Sequence, residues 1–124
     1  MEKKADKGIE LDKLIAIYSE ISNFFNGIIN TGLSSIKSQD IEIYKNFQHR
    51  LQEFGVHYLI DCFEIFINNA TEVLSNRNNE AILGMINSFI TILIYIRTFE
   101  RVQTKNRVLL NLQSELLKST SNIN

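Results

Sequence analysis

The chain reads as all-α, and three observations carry that expectation. Apolar residues recur at intervals of three and four over long stretches, the spacing that gathers side chains on one face of a helix. Proline is absent and only five glycines occur in 124 residues, so the usual breakers of long helices are scarce. No segment alternates apolar and polar residues strictly, and no hairpin turn separates two apolar runs, so nothing supports a strand. Apolar residues make up 44% of the chain, enough for the core of one domain of this length.

The charged opening MEKKADKG, residues 1–8, is read as a flexible N-terminus, and the domain as residues 9–118. A first helix follows from Ile9, with Leu11, Leu14, Ile15, Tyr18, Ile21, Phe25 and Ile28 on one face and Asn30, Thr31 and Gly32 closing it. Ser34 to Ser38 supply turn residues. Ser38 is suited to cap a second helix, and Asp40 and Glu42 suit its positive end. In that helix Tyr44, Phe47, Leu51 and Phe54 make one seam. Val56, Leu59, Phe63, Phe66, Ala70 and Val73 make another in a shifted phase, so a bend or break is expected where the phase changes, at Gly55. The run SNRNNE, Ser75 to Glu80, is the clearest loop. A third helix runs from Ala81 to about Lys118, and residues 119–124 form a polar, flexible tail.

Three helices of about 22, 38 and 38 residues would span roughly 33, 57 and 57 Å. A compact domain of this size is about 35 Å across, so the long pair must overhang the short one. If the first helix folds back on the second, it covers the half of the hairpin near residues 40–60 and 97–118 and leaves residues 59–96 uncovered. That half contains AILGMINSFITILIYI, Ala81 to Ile96, which is apolar almost all round and so needs burial on every side. The expectation is a helical bundle completed by dimerisation or by a partner chain, with Phe63, Phe66, Ile82, Phe89, Leu93 and Ile96 at the interface. A break at Gly55 gives the other solution, a compact four-helix monomer. A membrane span fits less well, because the apolar run falls short of about 20 residues and the facing LIDCFEIFI carries Asp61 and Glu64.

The net charge of −1 provides no global field toward nucleic acid or an anionic membrane. A single cysteine, Cys62, excludes an internal disulfide and suits a reducing cytoplasm, and its apolar neighbours mark it as a core thiol. The N-terminus lacks the apolar run and small-residue cleavage site of a secretory signal. Gly27 and Gly32 are not set between a strand and a helix, so no phosphate-binding loop follows. No cofactor and no small-molecule substrate are implied.

Three constellations carry chemistry. His49, Glu53, His57 and Asp61 stand four apart in succession, so on an unbroken helix they form one winding stripe whose neighbours can share a metal ion. The same line also reads as a solvated face of alternating charge. Arg50 and His57 bracket six residues, a spacing that resembles the R-x4-6-H signature of HEPN domains, helical modules many of which cleave RNA without metal. The resemblance implies Arg50 and His57 as a catalytic pair. Leu51 and Tyr58 depart from that family's habits, which favour a polar residue after the arginine and a tyrosine two places after the histidine. On the third helix Phe99, Val102, Leu109 and Leu116 mark an apolar seam expected to be buried, with Arg97, Arg101, Lys105 and Arg107 outside it. Those cations suit a phosphate backbone or an acidic partner, although no outward aromatic is there to stack a base. Small helical subunits of CRISPR effector complexes share this size and class.

The reading that follows is a non-enzymatic cytoplasmic helical protein working by association, as homodimer, adaptor or small subunit. A nucleic-acid-binding subunit and a HEPN-like ribonuclease are the alternatives.

Overall fold

The computed structural model describes the backbone of residues 2–123 and the side chains of residues 10–119 apart from Ser34. It contains four α-helices: α1 (Glu2–Thr31), α2 (Ser38–Leu51), α3 (His57–Asn76) and α4 (Asn79–Ile123), and no strand occurs among the described residues. The class is therefore as expected, but the count of three long helices is corrected to four. Helical backbone reaches outward to Glu2 and Ile123, beyond the domain limits read at 9 and 118.

Each boundary has a local cause. Thr31 closes α1 by donating its hydroxyl to the carbonyl of Gly27 at 3.0 Å. Gly32 follows at φ 91°, a conformation open to glycine without strain, and donates its N–H to Ile28 O at 2.6 Å. At the start of α2 the cap falls at Lys37 rather than Ser38. The Lys37 N–H donates to the Asp40 carboxylate at 2.8 Å, the half of a capping box in which the acid at the third helical position accepts the backbone N–H of the cap residue. Between α3 and α4, Asn78 accepts the N–H of Glu80 on its side-chain oxygen at 2.8 Å, which places the turn inside SNRNNE.

The decisive boundary is Gly55. After a 3-10 turn over Gln52–Phe54 it adopts the left-handed conformation at φ 66°, and α3 begins two residues later. The chain reverses there. Tyr44 meets Phe66 at 4.8 Å between ring centroids and Phe47 meets Phe63 at 6.4 Å, pairs whose numbers rise on one helix as they fall on the other, so α2 and α3 are antiparallel. The same test makes α3 and α4 antiparallel through Tyr58–Tyr95 and Phe66–Phe89, and α1 and α4 antiparallel through Tyr18–Phe99 and Phe25–Phe89. The result is an up-down-up-down four-helix bundle. Gly84 allows the close approach of α4 to α3, since a Cβ there would stand 2.7 Å from the Asn69 amide.

Phe25 is the centre of the core. It is fully buried and its ring touches one aromatic of α2, two of α3 and one of α4: Tyr44, Phe63, Phe66 and Phe89, the last stacked at 4.7 Å. The fold-back at Gly55 thus reverses the expected coverage. α1 and α2 bury the apolar half of the α3/α4 hairpin, and Phe63, Phe66, Phe89, Leu93 and Ile96, read as interface residues, lie in the chain's own core, with Ile82 half-buried. No second chain is needed to cover them.

Replacing Phe25 by Ala is expected to cost about 3–5 kcal/mol, because it removes the ring shared by all four helices and leaves a cavity. Tyr44 makes the opposite prediction. Its buried hydroxyl has no hydrogen-bond partner among the described residues, and burial, together with the nearby Asp40 charge, pushes its pKa well above the usual tyrosine value. Tyr44→Phe should leave stability unchanged or raise it by about 1 kcal/mol. Chemical denaturation of the two variants checks both signs.

Candidate interaction surface

With the apolar half buried, the uncovered part of the molecule is the other end of α4. Tyr58, in the first turn of α3, already packs on Tyr95 at 5.8 Å, so beyond this level α3 no longer runs beside α4. From Thr104 to Ser119 every described side chain of α4 is exposed. This arm is not polar. Val102, Val108, Leu109, Leu110 and Leu112 are 49–65% exposed, and Leu116 is exposed as well. The seam of Val102, Leu109 and Leu116 expected in the core therefore lies in solvent, and only Phe99, edge-on to Tyr18 at 4.7 Å, is half-buried.

The apolar strip continues onto the body. Tyr58, Thr91, Ile94, Tyr95, Thr98 and Phe99 line an open groove between α3 and α4. Ile65 of α3 and Leu83, Ile90 and Ile94 of α4 are exposed too. These body residues gave no sequence signal, because in a segment apolar all round periodicity cannot say which side stays wet. Val108, Leu110 and Leu112 had one: VLLNL packs too many apolar residues for a single narrow seam.

The polar constellations come apart. The stripe of His49, Glu53, His57 and Asp61 assumed one continuous helix. The break places His49 on α2, Glu53 in the 3-10 turn, and His57 and Asp61 on α3, all exposed, and no group of three metal-ligating residues forms among the described residues. Arg50 forms an ion pair with Glu20 of α1, which holds its charge on the α1/α2 face. His57 opens α3, and among the described residues no hydrogen bond or ion pair joins it to Arg50. Arg97 donates to the Asn26 side chain at 3.1 Å, tying α4 to α1. Arg97, Arg101 and Lys105, four apart, share one winding stripe on α4, whereas Arg107, two places past Lys105, falls on the other side of the helix.

The remaining features are apolar or inert. Burial raises the pKa of the Cys62 thiol, the state of an unreactive core cysteine. A cavity of about 300 Å³ beside the 3-10 turn Leu33–Ser35 that follows α1 is lined by Ile36, Ala70, Val73, Met85 and neighbours, with Arg77 its one charged wall. It lacks the convergent polar groups that orient a substrate. By length and composition α4 is apolar enough to cross a membrane, and the same residues, Ala81, Met85, Phe89, Ile92 and Ile96, fill the core of this bundle.

No protein-family model, no curated protein and no solved structure matches the chain.

Two outcomes follow from the dispersed polar groups. Zinc added to the folded protein should leave its Tm unchanged, since a metal held by the native state would raise it. Arg50→Ala should lower stability by no more than about 1 kcal/mol, the scale of an exposed ion pair.

Proposed function

We propose that the protein is a non-enzymatic association module of the cytoplasm, with the C-terminal arm of α4 as its binding element. The observation that carries this reading is the apolar arm itself: valine and leucine side chains at Val102, Val108, Leu109, Leu110 and Leu112, all about half exposed or more, on a helix with α2 and α3 already behind it. Contiguous exposed apolar surface of this kind is the mark of an association site. A helix in water gains little from propensity alone and is held by packing of its apolar face, so the arm is the part of this chain with most to gain from a partner. The buried, protonated Cys62 fits a reducing compartment.

The dispersal of Arg50 and His57 and of the four-residue histidine and carboxylate stripe weighs against an enzyme. A second reading keeps the arginine face. Arg97, Arg101 and Lys105 line one shallow depression on α4 with Glu100 and Thr104, which supports contact with a phosphate backbone.

Leu109→Glu should abolish association while leaving the helix content and thermal stability of the bundle unchanged, because this side chain is outside the core. Light scattering behind a sizing column, alone and with any captured partner, reads the result; an undiminished complex rules the arm out. For the second reading, Arg97→Glu with Arg101→Glu should remove a salt-sensitive complex with RNA or DNA, and lack of binding to either by the unaltered chain at low salt dismisses it.

A further inference from the structure

The pattern of the arm specifies its partner. Val102, Leu109 and Leu116 stand seven apart, and Thr98, Lys105 and Leu112 lie three residues after or four before them, so together they are the two core lines of one heptad register. Arg101, Val108 and Glu115 run along one flank of that seam, and Phe99, Asn106 and Gln113 along the other. Toward the body the two core lines pass through Tyr95, Thr98 and Thr91, and the Arg101 flank through Ile94, all of which line the groove beside Tyr58. The seam is thus continuous from groove to arm, on the side of α4 turned away from its packing on Phe25.

We infer that the occupant of this seam is a second copy of the chain, its arm laid antiparallel to the first about a two-fold axis near Arg107. This rests on the reading of the arm as an association element and adds the partner and the register. In that register Val102 packs against Leu112 of the second copy, and Leu112 against its Val102. Leu109 packs against the stem of Lys105, whose ammonium reaches out to water. Flanking residues of the same line face each other across an antiparallel pair, so Arg101 meets Glu115 of the second copy, and by symmetry the contact occurs twice. Val108 meets its own counterpart on that flank, and Asn106 meets its counterpart on the other. Both charged groups are exposed, and neither has an ion-pair partner among the described residues.

The parallel alternative is disfavoured by charge. With the arms side by side in the same direction, Lys105 would sit level with Lys105 of the second copy in the seam, a like-charge contact, and Arg101 would face Asn106 instead of an acid. Only the antiparallel arrangement separates the lysines and pairs Arg101 with Glu115. It also closes on itself, since each patch supplies both halves of the contact.

The test is the molar mass of the full chain over a dilution series, for the unaltered protein, Arg101→Glu, Glu115→Arg and the double exchange. The unaltered protein should reach twice the 14.3 kDa chain mass. Each single reversal should raise the dimer Kd on the order of tenfold by setting like charges together twice, and the double exchange should recover it. Val108→Cys should cross-link to itself under mild oxidation, Asn111→Cys on the far side of the helix should not, and the native Cys62 is buried and silent. A monomer at every concentration overturns the second copy as partner. A dimer dispersed by Leu109→Glu but indifferent to the charge reversals, or not recovered by the double exchange, overturns the register while the association reading stands.

Discussion

The left-handed turn at Gly55 decides what this molecule hides and what it shows. At φ 66° the backbone leaves the helical region for one residue, and the direction of the chain reverses. Without it α2 and α3 would be one rod of nearly 40 residues, and α1 could shield only part of it. With it, α2 lies back along α3, and Phe25 gains neighbours on all three other helices. The burial of residues 59–96 and the exposure of the α4 arm are two sides of this one event. Once α2 and α3 are committed to covering the apolar half, neither reaches the other end, and only the part of α1 before Tyr18 continues past the level of Phe99.

The chemistry follows the same geometry. A stripe of histidines and carboxylates that depends on a continuous helix is dismantled by the reversal, and its members end on three different elements. Arg50 is drawn into the α1/α2 contact by Glu20, and Arg97 into the α1/α4 contact by Asn26. Arg50 and Arg97 thus tie helices together, while His49, Glu53, His57 and Asp61 lie exposed on separate elements. The exposed apolar side chains run along the arm and continue onto the body at Ile94, Ile90 and Leu83.

Much of this was legible from the residues. The all-α class followed from periodicity and the lack of proline, the closing of α1 from Asn30 to Gly32, the loop from SNRNNE, and the break from the change of phase at Gly55. What was not legible was coverage. Periodicity reports which side chains need burial, not which neighbour supplies it. Ala81 to Ile96 reads as needing burial on every side; α1, α2 and α3 of the same chain cover one side of it, while Leu83, Ile90 and Ile94 stay exposed. The line of Val102, Leu109 and Leu116 was recognised as apolar, yet its exposure depends on where α3 begins, a tertiary fact with no local signature. Ser38 shows the same limit on a smaller scale: the cap falls one residue earlier, at Lys37, whose N–H the Asp40 carboxylate accepts.

After Gly84 the sequence of α4 contains neither glycine nor proline, so helix from the bundle centre to the tip is a single beam without a hinge. At 1.5 Å per residue the 20 residues from Glu100 to Ser119 reach about 30 Å beyond the level of Phe99. The direction of that beam is set at its root, where Phe89 stacks on Phe25. A tilt of about 5° there carries the tip, about 45 Å away, sideways by about 4 Å, more than half the pitch of a helix turn. A conservative change in the bundle centre would therefore be felt as misalignment at the far end, with no residue of the arm itself altered.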